Sequence, residues 1–120
     1  MFFYRKHNKY NNQKSIVNGK VFDSKKEAKR YMELVNLERA GVIKDLEMQK
    51  QFILLDGFKK NGRYYRPIYY YADFVYYLIY EKITVVEDVK GGKNSLTDYY
   101  KLKKKLFEYK YPDLTIKEIY

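Results

Sequence analysis

The sequence predicts an α/β (α+β) domain with the element order α-β-β-β-α-β, in which a mixed sheet is flanked by helices and preceded by a basic arm and hairpin. Three observations support this fold. A capped helical pattern begins at Ser24, and runs rich in β-branched and aromatic residues follow between residues 46 and 90. A second helical pattern then leads to a short final strand. A strand–helix–strand unit of this kind forms a parallel crossover, so the sheet is expected to be mixed.

The N-terminal segment divides into an arm and a hairpin. Residues 1–14 are polar and basic without any hydrophobic period, so we expect a flexible arm, and residues 15–120 form a single domain. Asn18-Gly19 lies between two short runs that contain β-branched residues. Because both positions of a type I′ turn need positive φ, this dipeptide predicts a β-hairpin.

The first helix has clear signals at both ends. Ser24 fits the N-cap, Glu27 completes a capping-box pattern three residues later, and Gly41 is a natural stop. We expect its apolar face to consist of Ala28, Tyr31, Met32 and Val35.

Three strands are predicted next. The segment 46–55 alternates, which places Leu46, Met48, Phe52 and Leu54 on one face. After a tight turn at Asn61-Gly62 comes a long strand over residues 64–79, where Pro67 marks an edge or a bulge. The third strand covers residues 83–90.

The C-terminal part is predicted to be a helix and a strand. The helix covers residues 97–110 and ends before Pro112, and the final strand covers residues 114–119. The residues expected to face inward from this helix are Leu102, Leu106, Phe107 and Tyr109.

Composition excludes several classes of protein. The chain has 120 residues, of which 46% are hydrophobic and 33% charged, so it is not a wholly disordered polymer. It has no cysteine and a single histidine, His7, which excludes disulfides, thiolate zinc sites and imidazole metal clusters, and disfavours a Ser-His-Asp mechanism. A metal must therefore be held by oxygen ligands, which favours Mg²⁺, Mn²⁺ or Ca²⁺.

The net charge of +10 is the first functional indication. Nine of the first 30 residues are Lys or Arg, and a second lysine cluster lies near the C-terminus. Such surfaces attract phosphate backbones, although A/T-rich codons would also produce a chain rich in lysine, tyrosine and asparagine, and both interpretations remain open. No secretory signal or apolar run of about 20 residues is present, so we expect a soluble, cytoplasmic protein with no membrane partner.

Two aspartates and a lysine are placed together by the predicted hairpin. Asp73 and Asp88 each lie within an apolar strand, where aspartate is disfavoured. A turn at Tyr80-Glu81 puts these aspartates directly opposite one another, with Cβ atoms about 4.5–5.5 Å apart, whereas a turn at Glu81-Lys82 pairs Asp73 with Lys90. In both registers Asp73, Asp88 and Lys90 fall on the same face. Two opposed carboxylates repel, so either a divalent cation compensates them or a salt bridge from Asp73 to Lys90 holds the sheet face together.

Two further residues have alternative interpretations. Glu27 either serves the capping box alone or points along the inner edge of the helix toward the sheet. His7 is more consistent with a solvated or phosphate-contacting residue than with a catalyst. Some tyrosine rings of the long strand could stack on bases, but spacing does not identify which.

These residues resemble a known group of enzymes. Glu27 on a helix, Asp73 in a strand and Asp88-Val89-Lys90 after a hairpin resemble the PD-(D/E)XK nuclease superfamily, whose common core has the same element order. More narrowly, the segments 22–28, 72–74 and 86–91 and the helix from Thr97 resemble a small phage and prophage family of uncharacterised nucleases related to Holliday-junction resolvases. The resemblance covers residues 15–119. Asp88 departs from the superfamily pattern, in which glutamate is commoner at this position. The shorter side chain of aspartate reaches less far toward a metal.

The resemblance implies a restriction-endonuclease-like core and a Mg²⁺-dependent (or Mn²⁺-dependent) DNA endonuclease that hydrolyses phosphodiester bonds of branched DNA. Glu27, Asp73, Asp88 and Lys90 would be the catalytic residues. The metal ligands would be Asp73, Asp88 and the Val89 carbonyl, with Glu27 acting directly or through a water. A non-catalytic DNA-binding protein with a nuclease-like fold, and a nuclease acting on unbranched DNA in recombination, restriction or packaging, remain alternatives.

The resemblance and the charge together imply partners. We expect the protein to be encoded by a phage or prophage, to act in a bacterial host cell and to form a homodimer, since resolving a four-way junction requires two nicks. The residues expected to contact DNA are Arg5, Lys6, Lys9, Lys14, Lys25, Lys26, Lys93, Thr97, Lys101 and Lys103.

Overall fold

The computed structural model describes residues 15–22 and 24–120. The predicted arm over residues 1–14, with His7 and four of the expected DNA contacts (Arg5, Lys6, Lys9 and Lys14), lies outside the described residues. The helices and strands in chain order are β1 (Ser15–Val17), β2 (Lys20–Phe22), α1 (Lys25–Arg39), β3 (Ile43–Leu55), β4 (Phe58–Lys60), β5 (Arg63–Tyr65), β6 (Ile68–Leu78), β7 (Ile83–Val89), α2 (Asp98–Lys110) and β8 (Ile116–Ile119).

The main sheet has the strand order β3-β6-β7-β8. The pairs β3–β6 and β6–β7 are antiparallel and β7–β8 is parallel, so the sheet is mixed, as predicted. Two separate core clusters cover its two faces, one formed with α1 and one with α2. The predicted order α-β-β-β-α-β and the placement of one helix on each side of the sheet are therefore confirmed. Neither helix of the described chain has the length and apolar character needed to cross a membrane.

Asn-Gly turns form both short hairpins. Asn18 and Gly19 join β1 to β2, and Asn61 and Gly62 join β4 to β5, all four with φ between 51° and 76°. The single long strand predicted over residues 64–79 is wrong, because the chain leaves the extended ladder at Arg66 and Pro67. Proline has no N–H to donate to a ladder, so β5 and β6 are separate strands.

The alternation of β3 is reversed at Gln49. Met48 packs on the α1 side of the sheet, whereas Phe52 packs on the α2 side, although their positions differ by an even number. The prediction of one common face is therefore wrong. Gln49 has a φ of 52°, which breaks the two-residue period of an extended strand. On β6 the same switch occurs opposite Gln49, between Ala72 and Phe74, which places Asp73 at the point where both strands change faces.

The inward faces of the helices differ from prediction in three residues. Met32, Leu102 and Tyr109 are exposed, whereas Leu34 on α1 and Tyr100 on α2 are buried. The pairs 100/107 and 102/109 have the same seven-residue spacing, so periodicity does not choose between them. The predicted inward positions of Ala28, Tyr31 and Phe107 are confirmed, with Val35 and Leu106 half-buried.

A buried ion pair joins α1 to β7. Glu87 is fully buried, and Arg30 donates to both of its carboxylate oxygens, from Nε at 2.8 Å and from Nη2 at 2.6 Å. The Tyr76 hydroxyl donates a third hydrogen bond to Glu87. The hydrogen bond with Glu87 raises the pKa of Arg30 further above its ordinary value, so the guanidinium stays charged.

Removing Arg30 should destabilise the protein strongly, because it leaves the buried carboxyl group of Glu87 without its guanidinium partner. We expect Arg30→Ala to lower the free energy of unfolding by about 3–5 kcal/mol. Glu33→Ala removes only the exposed i+3 partner of Arg30 and should cost less than about 1 kcal/mol. Urea unfolding followed by circular dichroism measures both, and equal effects would contradict a dominant role for the Arg30–Glu87 pair.

Candidate active site

β6 and β7 separate beyond the pair Phe74–Glu87. Their ladder runs from Leu78–Ile83 to Phe74–Glu87, which is the predicted register and would place Asp73 opposite Asp88. At Asp73, however, a side chain replaces the backbone partner: its Oδ2 accepts the N–H of Val89 at 2.7 Å. The carboxylate therefore occupies the opening between the two strands.

Asp88 and Lys90 lie on the same face of the sheet, as predicted. This is the face that α2 covers. The Tyr70 hydroxyl donates to Asp88 Oδ2 at 2.9 Å, and Lys90 Nζ is 3.4 Å from Asp88 Oδ1. The Lys90 ammonium also lies 3.1 Å from the centroid of the Tyr100 ring. Both residues are at least nine-tenths buried, and the ion pair seen for Lys90 is with Asp88 rather than with Asp73, the partner considered from sequence.

Glu27 points from α1 toward the sheet. Ser24 Oγ accepts the N–H of Glu27 at 3.1 Å, which confirms the predicted N-cap. The Glu27 carboxylate is buried and accepts a hydrogen bond from Gln49 Nε2 at 3.1 Å, so of the two interpretations the one that directs it inward is correct. The same amide nitrogen donates to Asp73 Oδ1 at 3.0 Å, which brings Glu27 and Asp73 together.

Sequence reasoning missed three residues of this cluster: Gln49, Tyr70 and Tyr100. Gln49 looked like a solvent-facing polar residue of an alternating strand, and its positive φ leaves no trace in the sequence. Tyr70 and Tyr100 are two of the 16 tyrosines in the chain, and the sequence does not distinguish them from the others. Parity in the predicted register places Tyr70 on the face opposite Asp88, and only the change of face at Asp73 brings the two residues together.

Burial, together with the charge of neighbouring carboxylates, raises the pKa of both aspartates. Burial raises the pKa of Asp73 to about 6, with a further contribution from the charge of Glu27 and an opposing one from the Val89 N–H. Burial also raises the pKa of Asp88 to about 6, where the charge of Asp73 adds to the effect and the ammonium of Lys90 opposes it. The site therefore holds more negative charge than its own cations compensate.

The donor set fits a hard divalent cation. Within residues 15–22 and 24–120, no group of three or more acidic or histidine side chains is arranged to hold a metal by itself. Mg²⁺ commonly uses one or two carboxylates and keeps several waters, so Asp73 and Asp88 suffice. The N–H and C=O of one residue in an extended strand point to the same neighbour, so the Val89 carbonyl faces the same opening as Asp73.

The expected DNA contacts lie on two helices. Lys25 and Lys26 are exposed in the first turn of α1, and Lys26 Nζ donates to the Lys90 carbonyl at 3.2 Å, beside the acidic cluster. Thr97 is the N-cap of α2, where its hydroxyl oxygen accepts the N–H of Tyr100 at 3.1 Å. On α2, Lys101 is exposed and Lys103 lies 4.6 Å over the ring of Tyr99. The side chain of Lys93 lies outside the described structure.

The raised pKa values predict how stability depends on pH without metal. A carboxyl whose pKa is higher in the folded state stabilises that state when protonated, and this contribution is lost as the pH rises through about 6. Asp88→Asn should therefore increase the free energy of unfolding by on the order of 1–2 kcal/mol near neutral pH and change it little below about pH 4. Thermal melts in EDTA across this range measure the difference, and a difference independent of pH would contradict the assignment.

Comparisons with known proteins identify a family. Searches of curated proteins and of solved structures found no match. Residues 7–120 match the family described as "Protein of unknown function (DUF1064)". Because that match covers nearly the whole chain, the protein belongs to the DUF1064 family.

Proposed function

We propose that this protein is a Mg²⁺-dependent DNA endonuclease of the PD-(D/E)XK type that hydrolyses phosphodiester bonds of branched DNA. One observation carries the proposal: Glu27, Asp73, Asp88 and Lys90 converge where β6 and β7 separate, although they come from three different elements. A chain of net charge +10 that concentrates buried carboxylates at one point favours a site for a cation and a phosphate.

The residues would divide the chemistry as follows. Asp73, Asp88 and the Val89 carbonyl would hold Mg²⁺ or Mn²⁺, and Glu27 would complete the site directly or through a water. The bound ion would supply a nucleophilic water at neutral pH and polarise the phosphate. Lys90 would place a positive charge where negative charge develops on the phosphate. Its ammonium is held in position between Asp88 and the face of Tyr100. Lys26, linked to the Lys90 carbonyl, would contact the DNA backbone beside the site.

Branched DNA is the favoured substrate because the domain is small. Reading a base sequence requires an element that enters a groove and contacts several base edges. The described chain devotes both helices to covering the sheet, so recognition of backbone and shape by its basic surface is the simpler mode. Such binding depends strongly on salt.

Cleavage assays test the proposed activity. Purified protein should nick a four-way junction in Mg²⁺, and Asp88→Ala and Lys90→Ala should each reduce the rate at least about a hundredfold, because each removes a group acting on the reacting phosphate. Binding to the same junction in Ca²⁺ should change less than about tenfold. The measurement is a denaturing gel on a four-way junction, a nicked duplex and a linear duplex.

Glu81→Ala is the matched control. Glu81 is an exposed acidic residue in the β6–β7 turn, at the opposite end of the strands that carry Asp73 and Asp88, so its removal should leave the rate unchanged. If the protein cleaved only the linear duplex, its substrate would be unbranched rather than branched DNA. Junction binding without any product would favour the non-catalytic DNA-binding protein.

A homodimer is the expected assembly, because one catalytic site per chain must act twice to resolve a junction. Light scattering at micromolar concentration should therefore give about twice the chain mass of 14.7 kDa. A mass near that of one chain, together with full resolution of junctions, would contradict the dimer.

A further inference from the structure

The β4–β5 hairpin is a cationic projection beside the main sheet. It forms its own two-stranded ladder, and all six of its strand residues are exposed. Four cationic side chains and no acidic one occur between positions 57 and 66: Lys59, Lys60, Arg63 and Arg66. None of these residues was assigned a role from the sequence.

One face of this hairpin carries an aromatic platform. Phe58 and Tyr65 are cross-strand partners whose rings are nearly parallel, with centroids 4.8 Å apart and an interplanar angle of 11°. The Arg63 guanidinium lies 5.4 Å from the centroid of the Tyr65 ring. Both rings are 41% exposed. Stacked aromatic rings beside cations are the combination that binds bases and phosphates of single-stranded nucleic acid.

The opposite face of the hairpin carries Tyr64, which lies against Gly57. Tyr64 lies across Gly57 so closely that a Cβ at position 57 would collide with its hydroxyl and would lie 3.1 Å from Pro67. This contact lies within the hairpin, since Tyr64 is 58% exposed, and Phe58 and Tyr65 lie on the other face.

β6 connects the hairpin to the candidate active site. Ile68 begins this strand five residues before Asp73, which is about 16 Å along an extended chain, and Tyr65 lies three residues further, at most about 26 Å away. These distances correspond to about five to eight nucleotide steps along DNA. Ile53 and Tyr71 lie on the face of the sheet away from Phe52 and Leu54, and both are exposed between the hairpin and Asp73.

We propose that the face formed by Phe58, Arg63 and Tyr65 binds unpaired nucleotides of the DNA several steps from the cleaved bond. The inference rests on the proposed nuclease function and names the feature of a branched substrate that the protein recognises. Unpaired bases expose the faces that the rings need, whereas bases inside a duplex are already stacked. A second copy of this chain is a poorer occupant, since its hairpin carries the same positive charge and would be repelled.

Fluorescence anisotropy in Ca²⁺ tests this proposal with two labelled DNAs, a forked duplex with single-stranded arms and a blunt duplex of the same sequence. Phe58→Ala/Tyr65→Ala should weaken binding of the fork about tenfold or more and binding of the blunt duplex less than about threefold. Tyr80→Ala is the matched control, because Tyr80 is 92% exposed in the turn at the other end of the sheet, and it should affect neither DNA.

Three results would overturn the proposal. The first is unchanged binding of the fork by the double variant. The second is an equal loss on both DNAs with an unchanged melting temperature, since this indicates a general electrostatic contact. The third is a lower mass of the double variant in light scattering, which would make the hairpin a contact between copies. Each can occur while wild-type protein still cuts DNA in Mg²⁺, so failure here differs from failure of the proposed function, which is absence of metal-dependent cleavage on every substrate.

Discussion

The ion pair between Arg30 and Glu87 is the constraint on which the candidate site depends. Arg30 lies one helical turn after Glu27 on α1, and Glu87 immediately precedes Asp88 on β7. The bidentate hydrogen bond between them fixes both the rotation of α1 about its axis and its position along the sheet. Glu27 meets Gln49 and Asp73 from the turn of α1 that this pair joins to β7.

The adjacent acidic residues Glu87 and Asp88 on β7 lie in different electrostatic environments. Glu87 is on the α1 face, where a guanidinium and a hydroxyl satisfy its carboxylate. Asp88 is on the other face, where burial and the charge of Asp73 outweigh the single ammonium of Lys90 and raise its pKa. A fully matched carboxylate beside one whose charge is only partly compensated is what a protein would show if it kept the first for stability and the second for a ligand.

The sequence was informative where local rules decide the structure. Asn-Gly turns, the Ser24 cap and the register that aligns Asp73 with Asp88 all follow from neighbouring residues, and each is present. Local rules did not reveal that Arg30 meets Glu87, because these residues are far apart in the chain. They also failed on which phase of a helical period faces inward, as Leu102 and Tyr109 show, because that depends on how the helix docks.

The backbone at Gln49 has a consequence for the outer side of the sheet. Among the residues that the structure describes, β3 is an edge strand of 13 residues, and an unpaired edge of this length can recruit a strand from another molecule. Positive φ values at Asp45 and Gln49 interrupt the regular row of N–H and C=O groups along that edge. The distortion that turns the Gln49 amide toward two carboxylates therefore also makes the outer edge of β3 a poorer template for strand pairing between molecules.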